Sequence, residues 1–154
     1  MGMMSKVWGP PAWLFLHCVT LCYDPCRKKQ YKMFFNCLKD VLPCGKCREN
    51  YTKIIKDGDL KLTDKHFVSK EVLSDWLYKV HYKVQNDIYK CTTLKKDKPK
   101  KKTTTFWNNF YEKFRAKCGS LSGCDKASVG RRKMSTIYIT NYHCRMAQKS
   151  LLLM

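Results

Sequence analysis

The sequence predicts an all-α protein, a four-helix bundle with a short fifth helix, followed by a basic C-terminal extension. Apolar side chains recur at three- and four-residue intervals in successive segments, which is the period of amphipathic helices. Proline and glycine stand at the ends of those segments, where helices begin and end. The connections are short and favour antiparallel packing, and 44% hydrophobic content in 154 residues is enough for one core.

The first two helices are predicted from their apolar stripes and from proline. Pro10 and Pro11 fit the first turn of a helix. One face of this helix then carries Trp13, Leu16, His17 and Thr20. A second stripe in "KKQYKMFFNCLKDVL" contains Tyr31, Phe34, Phe35, Leu38 and Leu42. The second helix is predicted to stop at Pro43.

The third helix is short and the following one is long. Pro43 is predicted to open a helix that contains Cys44, Cys47 and Tyr51 and ends around residues 57–58. The segment "SKEVLSDWLYKVHYKVQNDIYK" has the strongest helical period, with Ser69 as its N-cap and Glu71 in the first turn. Its core-facing positions are Val72, Leu73, Trp76, Leu77, Val80, His81, Val84 and Ile88.

The remainder of the chain is basic and less regular. Residues 92–105, "TTLKKDKPKKKTTT", are predicted to form a lysine-rich loop. The segment "FWNNFYEKFRAKC" resumes a helical aromatic pattern through Phe106, Trp107, Phe110, Tyr111 and Phe114. From Gly119 onward the chain is loop-like, with "STIYIT" as a candidate short strand. We therefore divide the chain into a helical domain, 1–118, and a basic extension, 119–154.

The net charge of +19 is uneven along the chain. Residues 1–91 hold 16 basic and 9 acidic side chains (+7), and residues 92–154 hold 15 and 3 (+12). Such an excess indicates solubility or incidental affinity for nucleic acid, so a basic nucleic-acid-associated structural protein is one alternative. No apolar run reaches the roughly 18 residues of a membrane span, and the N-terminal segment lacks a signal-peptide pattern. We expect a soluble protein that is not secreted.

Ten cysteines in a chain without a signal peptide indicate metal binding or redox chemistry. Cys44 and Cys47 form the one CxxC motif, and the next cysteine after it is Cys91. A structural zinc site usually combines two such motifs, so a redox pair is favoured and no metal is expected. A thioredoxin fold would need a strand before the pair, whereas a helical stripe precedes it.

The position of the CxxC motif predicts different roles for its two sulfurs. At a helix start, Cys44 lies near unpaired backbone N–H groups and the positive end of the helix dipole, which favour a thiolate. Lys46 and Arg48 add positive charge. We expect Cys44 to be exposed and Cys47 to be the more buried partner. We also expect four cysteines to be free, partly buried thiols, namely Cys18, Cys22, Cys26 and Cys37.

Three motifs in order, "WGPPAWLFLH", "LPCGKC" and "WLYKVH" with Val84 after it, resemble the Erv/ALR family of FAD-linked sulfhydryl oxidases. The resemblance covers roughly residues 7–118, and the compact form is most similar to the versions of large cytoplasmic DNA viruses. It implies a FAD enzyme that converts thiols and O2 into disulfides and H2O2. It further implies action on virion proteins in the cytoplasm of an infected cell, or also in the virion.

The resemblance implies a role for each matching residue. Cys44 would exchange disulfides with the substrate, and Cys47 would lie against the flavin. A structural disulfide would join Cys91 to Cys118 or Cys124, leaving the other as a shuttle. The implied cofactor-binding residues are Trp8, Trp13, His17, His81, Val84, Gln85 and Trp107. The implied partners are thiol-bearing proteins, a thioredoxin-like relay and a second copy bound through the first two helices.

The chain departs from the family pattern at two places. The family has His-Asn-x-Val-Asn where this chain has Tyr82 and Gln85 in the Asn positions. The aromatic residue expected four or five positions after His17 is replaced by Leu21 and Cys22. These departures keep open a second alternative, a degenerate member that no longer binds FAD and only exchanges or scaffolds disulfides.

Overall fold

Four α-helices build the part of the chain that carries the predicted site. The computed structural model describes residues 2–91 and the segments 116–119, 123–127, 137–139 and 149–151. The helices are α1 (Ser5–Leu21), α2 (Lys28–Val41), α3 (Gly45–Lys56) and α4 (Lys70–Cys91). Short 3₁₀ turns lie at Pro25–Arg27, Gly58–Leu60 and Asp64–Phe67. The all-α prediction is confirmed for these helices, none of which is long and apolar enough to cross a membrane.

The prediction for the start of α1 is wrong by about one turn. α1 begins at Ser5, so Pro10 and Pro11 lie inside the helix instead of opening it. The backbone N–H groups of Val7 and Trp8 both donate to the carbonyl of Met4, at 3.0 and 3.3 Å, and close a first turn ahead of the prolines. Because proline has a helical φ but no N–H, α1 continues through both with two hydrogen bonds fewer.

The helices α2 and α3 agree with their predictions and pack against each other. Phe35 of α2 is fully buried, and its carbonyl accepts a 2.8 Å hydrogen bond from the hydroxyl of Tyr51 on α3. Burial raises the pKa of Tyr51, so the hydroxyl stays protonated and keeps donating this bond. One helix of the pair is thereby fixed in register against the other.

The helix α4 packs on α1 and supplies the centre of the core. Trp76 packs edge-on against Phe35, with ring centroids 5.4 Å apart, and its indole N–H donates to the carbonyl of Leu60 at 2.9 Å. The hydroxyl of Ser74 donates to that of Thr20 on α1 at 3.1 Å. The most buried apolar side chains of α4 are Leu73, Trp76, Leu77 and Val80.

The two ends of the predicted α4 stripe do not reach this core. Val72 and Ile88 are exposed, and because Leu73 beside Val72 is fully buried, Val72 lies on an uncovered side of a turn that is otherwise packed. The predicted N-cap is confirmed: the N–H of Val72 donates to Ser69 Oγ at 3.3 Å, and that of Leu73 donates to the Ser69 carbonyl. The period of a stripe therefore predicts the helix better than it predicts burial at the helix ends.

Contacts divide the chain into two units, Met1–Lys101 and Lys102–Met154. In the second unit β1 (Ala116–Gly119) pairs with β2 (Gly123–Ala127), and β3 (Ile137–Ile139) pairs with β4 (Lys149–Leu151), both antiparallel. The strand predicted in "STIYIT" is confirmed. The helix predicted up to residue 118 and the loop predicted from residue 119 are wrong at β1 and β2.

The local sequence explains the first hairpin. Gly119 of β1 pairs with Gly123 of β2, where the lack of a Cβ lets the two backbones approach closely. The aromatic helical pattern has already ended at Phe114. Most of that predicted helix, residues 106–115, lies outside the described residues, and the domain boundary at residue 118 stays a prediction.

Candidate redox site

Cys44 and Cys47 form a disulfide at the junction of α2 and α3, with Cα atoms 5.1 Å apart. α2 ends at Val41, and the chain turns through Leu42 and Pro43 before α3 begins. Cys44 has extended backbone angles (φ −145°, ψ 119°) and is the N-cap of α3. It was predicted to lie inside the helix, but α3 begins one residue later, at Gly45. The junction therefore presents the disulfide at the N-terminus of a three-turn helix.

As the N-cap, Cys44 accepts a hydrogen bond at its sulfur, which distinguishes it from the sulfur of Cys47. The backbone N–H of Cys47 donates to Cys44 Sγ at 3.2 Å. A thiolate at Cys44 would accept the same bond and would lie at the positive end of the α3 dipole, so the reduced pair favours negative charge on this sulfur. Both cysteines are partly buried, so the predicted exposure of Cys44 is wrong, while the greater burial of Cys47 stays a prediction. The helix cap distinguishes the two sulfurs.

Arg48 holds the turn that precedes the disulfide. Its guanidinium donates to the carbonyl of Leu42 at 2.6 Å, and its backbone N–H donates to the carbonyl of Cys44 at 3.0 Å. Lys46 forms an exposed ion pair with Glu49 at 3.5 Å, which offsets part of its charge. Sequence reasoning gave Arg48 only an electrostatic role; in the structure it also fixes the backbone from residue 42 to residue 44.

Gly2 and Met3 also contact the disulfide segment, which no sequence pattern indicated. The N–H of Met3 donates to the carbonyl of Pro43 at 2.8 Å. A Cβ at Gly2 would lie 3.4 Å from that carbonyl oxygen and 3.6 Å from the Cα of Cys44. The indole N–H of Trp8 donates to the carbonyl of Met3 at 3.2 Å. Trp8, predicted to bind the cofactor, thus binds residues 2–4 in this structure.

A second group of predicted site residues lies between α1 and α4. The rings of Trp13 and His81 are stacked, with centroids 4.1 Å apart and planes 8° from parallel. His17 Nε2 lies 3.1 Å from His81 Nδ1. The side chain of Gln85, one turn along α4, places its amide nitrogen 3.1 Å from His81 Nε2. The structure thus connects four of the predicted residues through direct contacts.

The order of these contacts assigns the protons of both imidazoles. An amide nitrogen can only donate, so Gln85 donates to His81 Nε2. His81 then carries its proton on Nδ1 and donates to His17 Nε2, which leaves the His17 proton on Nδ1. Gln85 therefore supplies an amide in the place of the family's asparagine, and it acts on His81.

His17 is uncharged at neutral pH. His17 is 4% exposed, and burial, with a smaller effect of neighbouring His81, lowers its pKa to about 3. Trp13 and His81 provide a flat aromatic wall beside the neutral imidazole and amide groups. This donor set suits a planar heteroaromatic cofactor with polar ring edges, as in the isoalloxazine and adenine rings of FAD. The residues therefore fit the cofactor that the resemblance implies.

The other predicted site residues are placed less fully. Val84 is partly buried and packs on the hydrophobic core. Trp107 lies outside the described residues. The backbones of Cys91, Cys118 and Cys124 lie in α4, β1 and β2, but their side chains lie outside the described part, so the structural disulfide stays a prediction. Within residues 2–90, no group of three or more potential ligands could hold a metal ion.

The four remaining cysteines of the helical unit are free, as predicted, but their predicted burial is wrong for three of them. Cys18 is partly buried, and burial and its neighbour Cys22 raise the pKa of the Cys18 thiol. Cys22, Cys26 and Cys37 are exposed. Their positions near a helix end or on the outer side of α2 explain this, since the α1 and α2 stripes already fill the core.

Known proteins match the region that holds both groups of site residues. A sequence model of the Erv1 / Alr family matches residues 10–108. The chain is also 40% identical over 83 residues to a protein of Acanthamoeba polyphaga mimivirus described as a probable FAD-linked sulfhydryl oxidase. That match covers 51% of this chain and 57% of the relative, so the chain spans little more than half of the relative's length.

Proposed function

The chain belongs to the Erv1 / Alr family, and on that premise we propose that it is a FAD-linked sulfhydryl oxidase that forms disulfides in thiol-bearing proteins. The observation that carries the proposal is the Cys44–Cys47 disulfide at the N-terminus of α3, with the N–H of Cys47 donated to Cys44 Sγ. A disulfide in this position is suited to exchange, because the helix N-terminus stabilises the thiolate that forms at Cys44.

The exchange proceeds in two steps at Cys44. A substrate thiolate attacks Cys44 Sγ, so a substrate–Cys44 bond forms, the Cys44–Cys47 bond breaks and Cys47 leaves as a thiolate. A second substrate thiolate then attacks the substrate sulfur of the mixed disulfide. The substrate leaves oxidised, and Cys44 leaves as a thiolate that accepts the N–H of Cys47. The substrate has then given two electrons to the cysteine pair and, at neutral pH, has also lost the protons of its two thiols.

The residues that would hold FAD are those of the cluster between α1 and α4, Trp13, His17, His81 and Gln85, with Val84 beside them. When bound, FAD would take the two electrons of the reduced cysteine pair and pass them to dioxygen, with hydrogen peroxide as product. The chain contributes a flat wall and fixed imidazole tautomers. The low pKa of His17 keeps a positive charge out of the pocket at neutral pH.

The finer parts of the proposal concern location and partners. The viral origin of the relative supports action in the cytoplasm of an infected cell, on proteins that are packaged into virions. Those substrates are proposed to be oxidised either directly or through a thioredoxin-like relay protein, which would then be the electron donor to this chain. The proposed structural disulfide joins Cys91 to Cys118 or Cys124, and the remaining cysteine of those two would act as a shuttle.

We also propose that the protein forms a homodimer through α1 and α2. Phe15 of α1 and Met33 of α2 are exposed, although both are large apolar side chains. Phe15 packs edge-on against Phe34 of α2, with ring centroids 6.4 Å apart, so the two helices share one outer apolar face. Exposed apolar faces of this kind typically mark contact surfaces.

Two alternative functions have an observation in their favour. The +12 charge of residues 92–154 favours nucleic-acid binding, either incidental to the oxidase or as the function of a structural protein. Tyr82 in place of asparagine favours a member without FAD, which exchanges disulfides but transfers no electrons to oxygen. A structural nucleic-acid-binding protein and a member without FAD would both be colourless when purified, whereas the oxidase is expected to be yellow.

The test uses the purified full chain with its bound flavin. We expect a flavin absorption spectrum, consumption of oxygen with dithiothreitol, and one hydrogen peroxide for each dithiol oxidised. Cys44→Ser and Cys47→Ser should each reduce this rate to the uncatalysed background, because neither variant can form the disulfide. Cys37→Ser, which removes an exposed free thiol, is the matched control and should retain the parental rate. A colourless, inactive parent, or an active Cys44→Ser variant, would contradict the proposal.

A further inference from the structure

Three exposed apolar side chains flank the segment that leads into the disulfide. Met3 and Val41 are each 66% exposed, and Met4 is also exposed. Val41 ends α2 two residues before Pro43, and the backbone of Met3 is hydrogen-bonded to Pro43. We call Met3, Met4 and Val41 the apolar collar. Through the hydrogen bond from Met3 to Pro43, it brings two parts of the chain that are far apart in sequence to the residue before Cys44.

The collar is held in place by backbone hydrogen bonds. The N–H of Met3 donates to the carbonyl of Pro43 at 2.8 Å, and the carbonyl of Met3 accepts from the Trp8 indole at 3.2 Å. On the other side, Arg48 donates to the carbonyl of Leu42, directly after Val41. A partner that binds the collar therefore meets a surface that is already ordered, which reduces the entropy cost of binding.

We propose that the apolar collar is the docking surface for the thiol substrate, and that it selects protein segments with apolar residues beside the reacting cysteine. This inference rests on the proposed oxidase function. A substrate sulfur must reach Cys44 Sγ to exchange, so the residues that flank the substrate cysteine must pass over the residues that flank Cys44. Those residues are the collar, and covering exposed apolar area is favourable.

The position of Met3 and Met4, which precede α1, favours this occupant over a second copy of the chain, while Val41 lies on the α2 stripe of Met33. A permanent partner covering Met3 and Val41 would obstruct the approach to Cys44, whereas a substrate covers them only during exchange. The collar itself carries no charged side chain, and the nearest lysine after Cys44, Lys46, is paired with Glu49. The contact is therefore expected to recognise apolar side chains and not an acidic sequence.

The test compares two synthetic peptides with the same pair of cysteines, one with leucine and one with serine at the flanking positions. With the flavin-loaded full chain, we expect kcat/KM to be on the order of tenfold higher for the leucine peptide. In the double variant Met3→Ser/Val41→Ser, this ratio should fall to within about twofold of one. The variant keeps the hydrogen bonds around Met3, because they use main-chain atoms and the Trp8 indole.

Val68→Ser is the matched control. Val68 is 62% exposed and follows the Asp64–Phe67 turn, so it offers a similar apolar side chain that belongs to another element. This control should keep the parental peptide ratio. Equal kcat/KM values for the two peptides with the parent would overturn the proposal. It would also be overturned if the double variant kept the parental ratio but changed the mass in sedimentation, because the collar would then join copies of the chain.

A binding measurement separates this inference from the proposed function. Versions of the two peptides with serine in place of both cysteines cannot exchange, yet the leucine version should still bind the parent more tightly than it binds the double variant. If the parent oxidises no dithiol but this preference is observed, the oxidase proposal fails and the collar remains. If dithiothreitol is oxidised but the leucine peptides, with or without cysteines, are not preferred over the serine peptides, the collar proposal fails and the oxidase proposal remains.

Discussion

At the scale of single residues, His17 links the site to stability. Its folded-state pKa of about 3 lies below the 6.5 of an unfolded histidine, because burial disfavours the charged ring. Below pH 6.5 the unfolded chain therefore takes up a proton that the folded chain does not. Above this pH, His17 makes the free energy of unfolding neither rise nor fall with pH. Below it, we predict that the free energy of unfolding falls by about 1.4 kcal/mol per pH unit on acidification.

Urea titrations at pH 7.0, 6.0 and 5.0 test this contribution, since most carboxylates stay ionised in that window. In His17→Gln, unfolding at low pH should take up about one proton fewer, so the free energy of unfolding should fall less steeply on acidification. His66→Gln is the comparison: burial also lowers the pKa of His66, but this residue is only partly buried, so the variant should remove a smaller part of the uptake than His17→Gln. An unchanged slope in His17→Gln would show that His17 is already protonated in the folded protein.

Gln85 gives a second prediction at this scale, since its amide fixes the protons of two imidazoles. In the parent, both His81 and His17 should carry the proton on Nδ1. Gln85→Glu places a carboxylate, which only accepts, beside His81 Nε2, so both rings should shift to the Nε2–H form. Nitrogen-15 NMR of labelled histidine reads this directly. Lys83→Gln, two positions away on α4 and paired with Asp87, is the control and should change neither ring.

The sequence predicted some of the site residues but not the main-chain contacts that hold them. Cys44 and Cys47 were evident from their spacing, and the resemblance indicated Trp13, His17 and His81. The contact of Met3 with Pro43 was not predictable, because a hydrogen bond between main-chain atoms leaves no side-chain pattern in the sequence. The same holds for Arg48, whose bond to the carbonyl of Leu42 depends on the turn geometry.

At the scale of elements, the four helices differ in how their first turns are satisfied. Ser69 Oγ accepts the N–H of Val72 at the start of α4, whereas Met4 at the start of α1 offers no side-chain acceptor. We predict that Ser69→Ala lowers the free energy of unfolding by about 1 kcal/mol, because one N–H loses its partner. Ser69→Asp should retain most of the stability. Ser5→Ala, at the uncapped start of α1, should change it by less than about 0.5 kcal/mol in the same urea titration.

The element boundaries show where sequence reasoning ends. Proline and glycine predicted the two ends of α3. The period of apolar residues predicted α2 and α4, because burial of one face determines each of them. It failed at the start of α1, where proline is tolerated inside the helix because backbone bonds from Val7 and Trp8 have already closed the first turn. It failed again at β1 and β2, where pairing between neighbouring strands, which has no helical period, decides the structure of short polar segments.

At the scale of the whole molecule, the apolar surface falls into parts with different proposed partners. The collar residues beside Cys44 are proposed to meet substrates transiently. Phe15 and Met33 lie on α1 and α2, where Phe15 packs against Phe34, and are proposed to meet a second copy of the chain. A substrate surface must be free in each catalytic cycle, whereas a dimer surface can stay covered. The two surfaces adjoin on α2, where Val41 lies about two turns after Met33, so a dimer that leaves exchange unobstructed must end before Val41.

The dimer prediction tests this division. Phe15→Glu/Met33→Glu should raise the dissociation constant of the dimer on the order of a hundredfold or more, because unpaired carboxylates would be buried in the interface. Sedimentation velocity over a range of concentrations measures this change, and the far-ultraviolet circular dichroism should stay unchanged because both residues are exposed. Ile88→Glu on α4 places the same charge on an exposed apolar position outside that face and should leave the dimer intact. A monomeric parent, or dissociation by Ile88→Glu alone, would contradict a dimer built on α1 and α2.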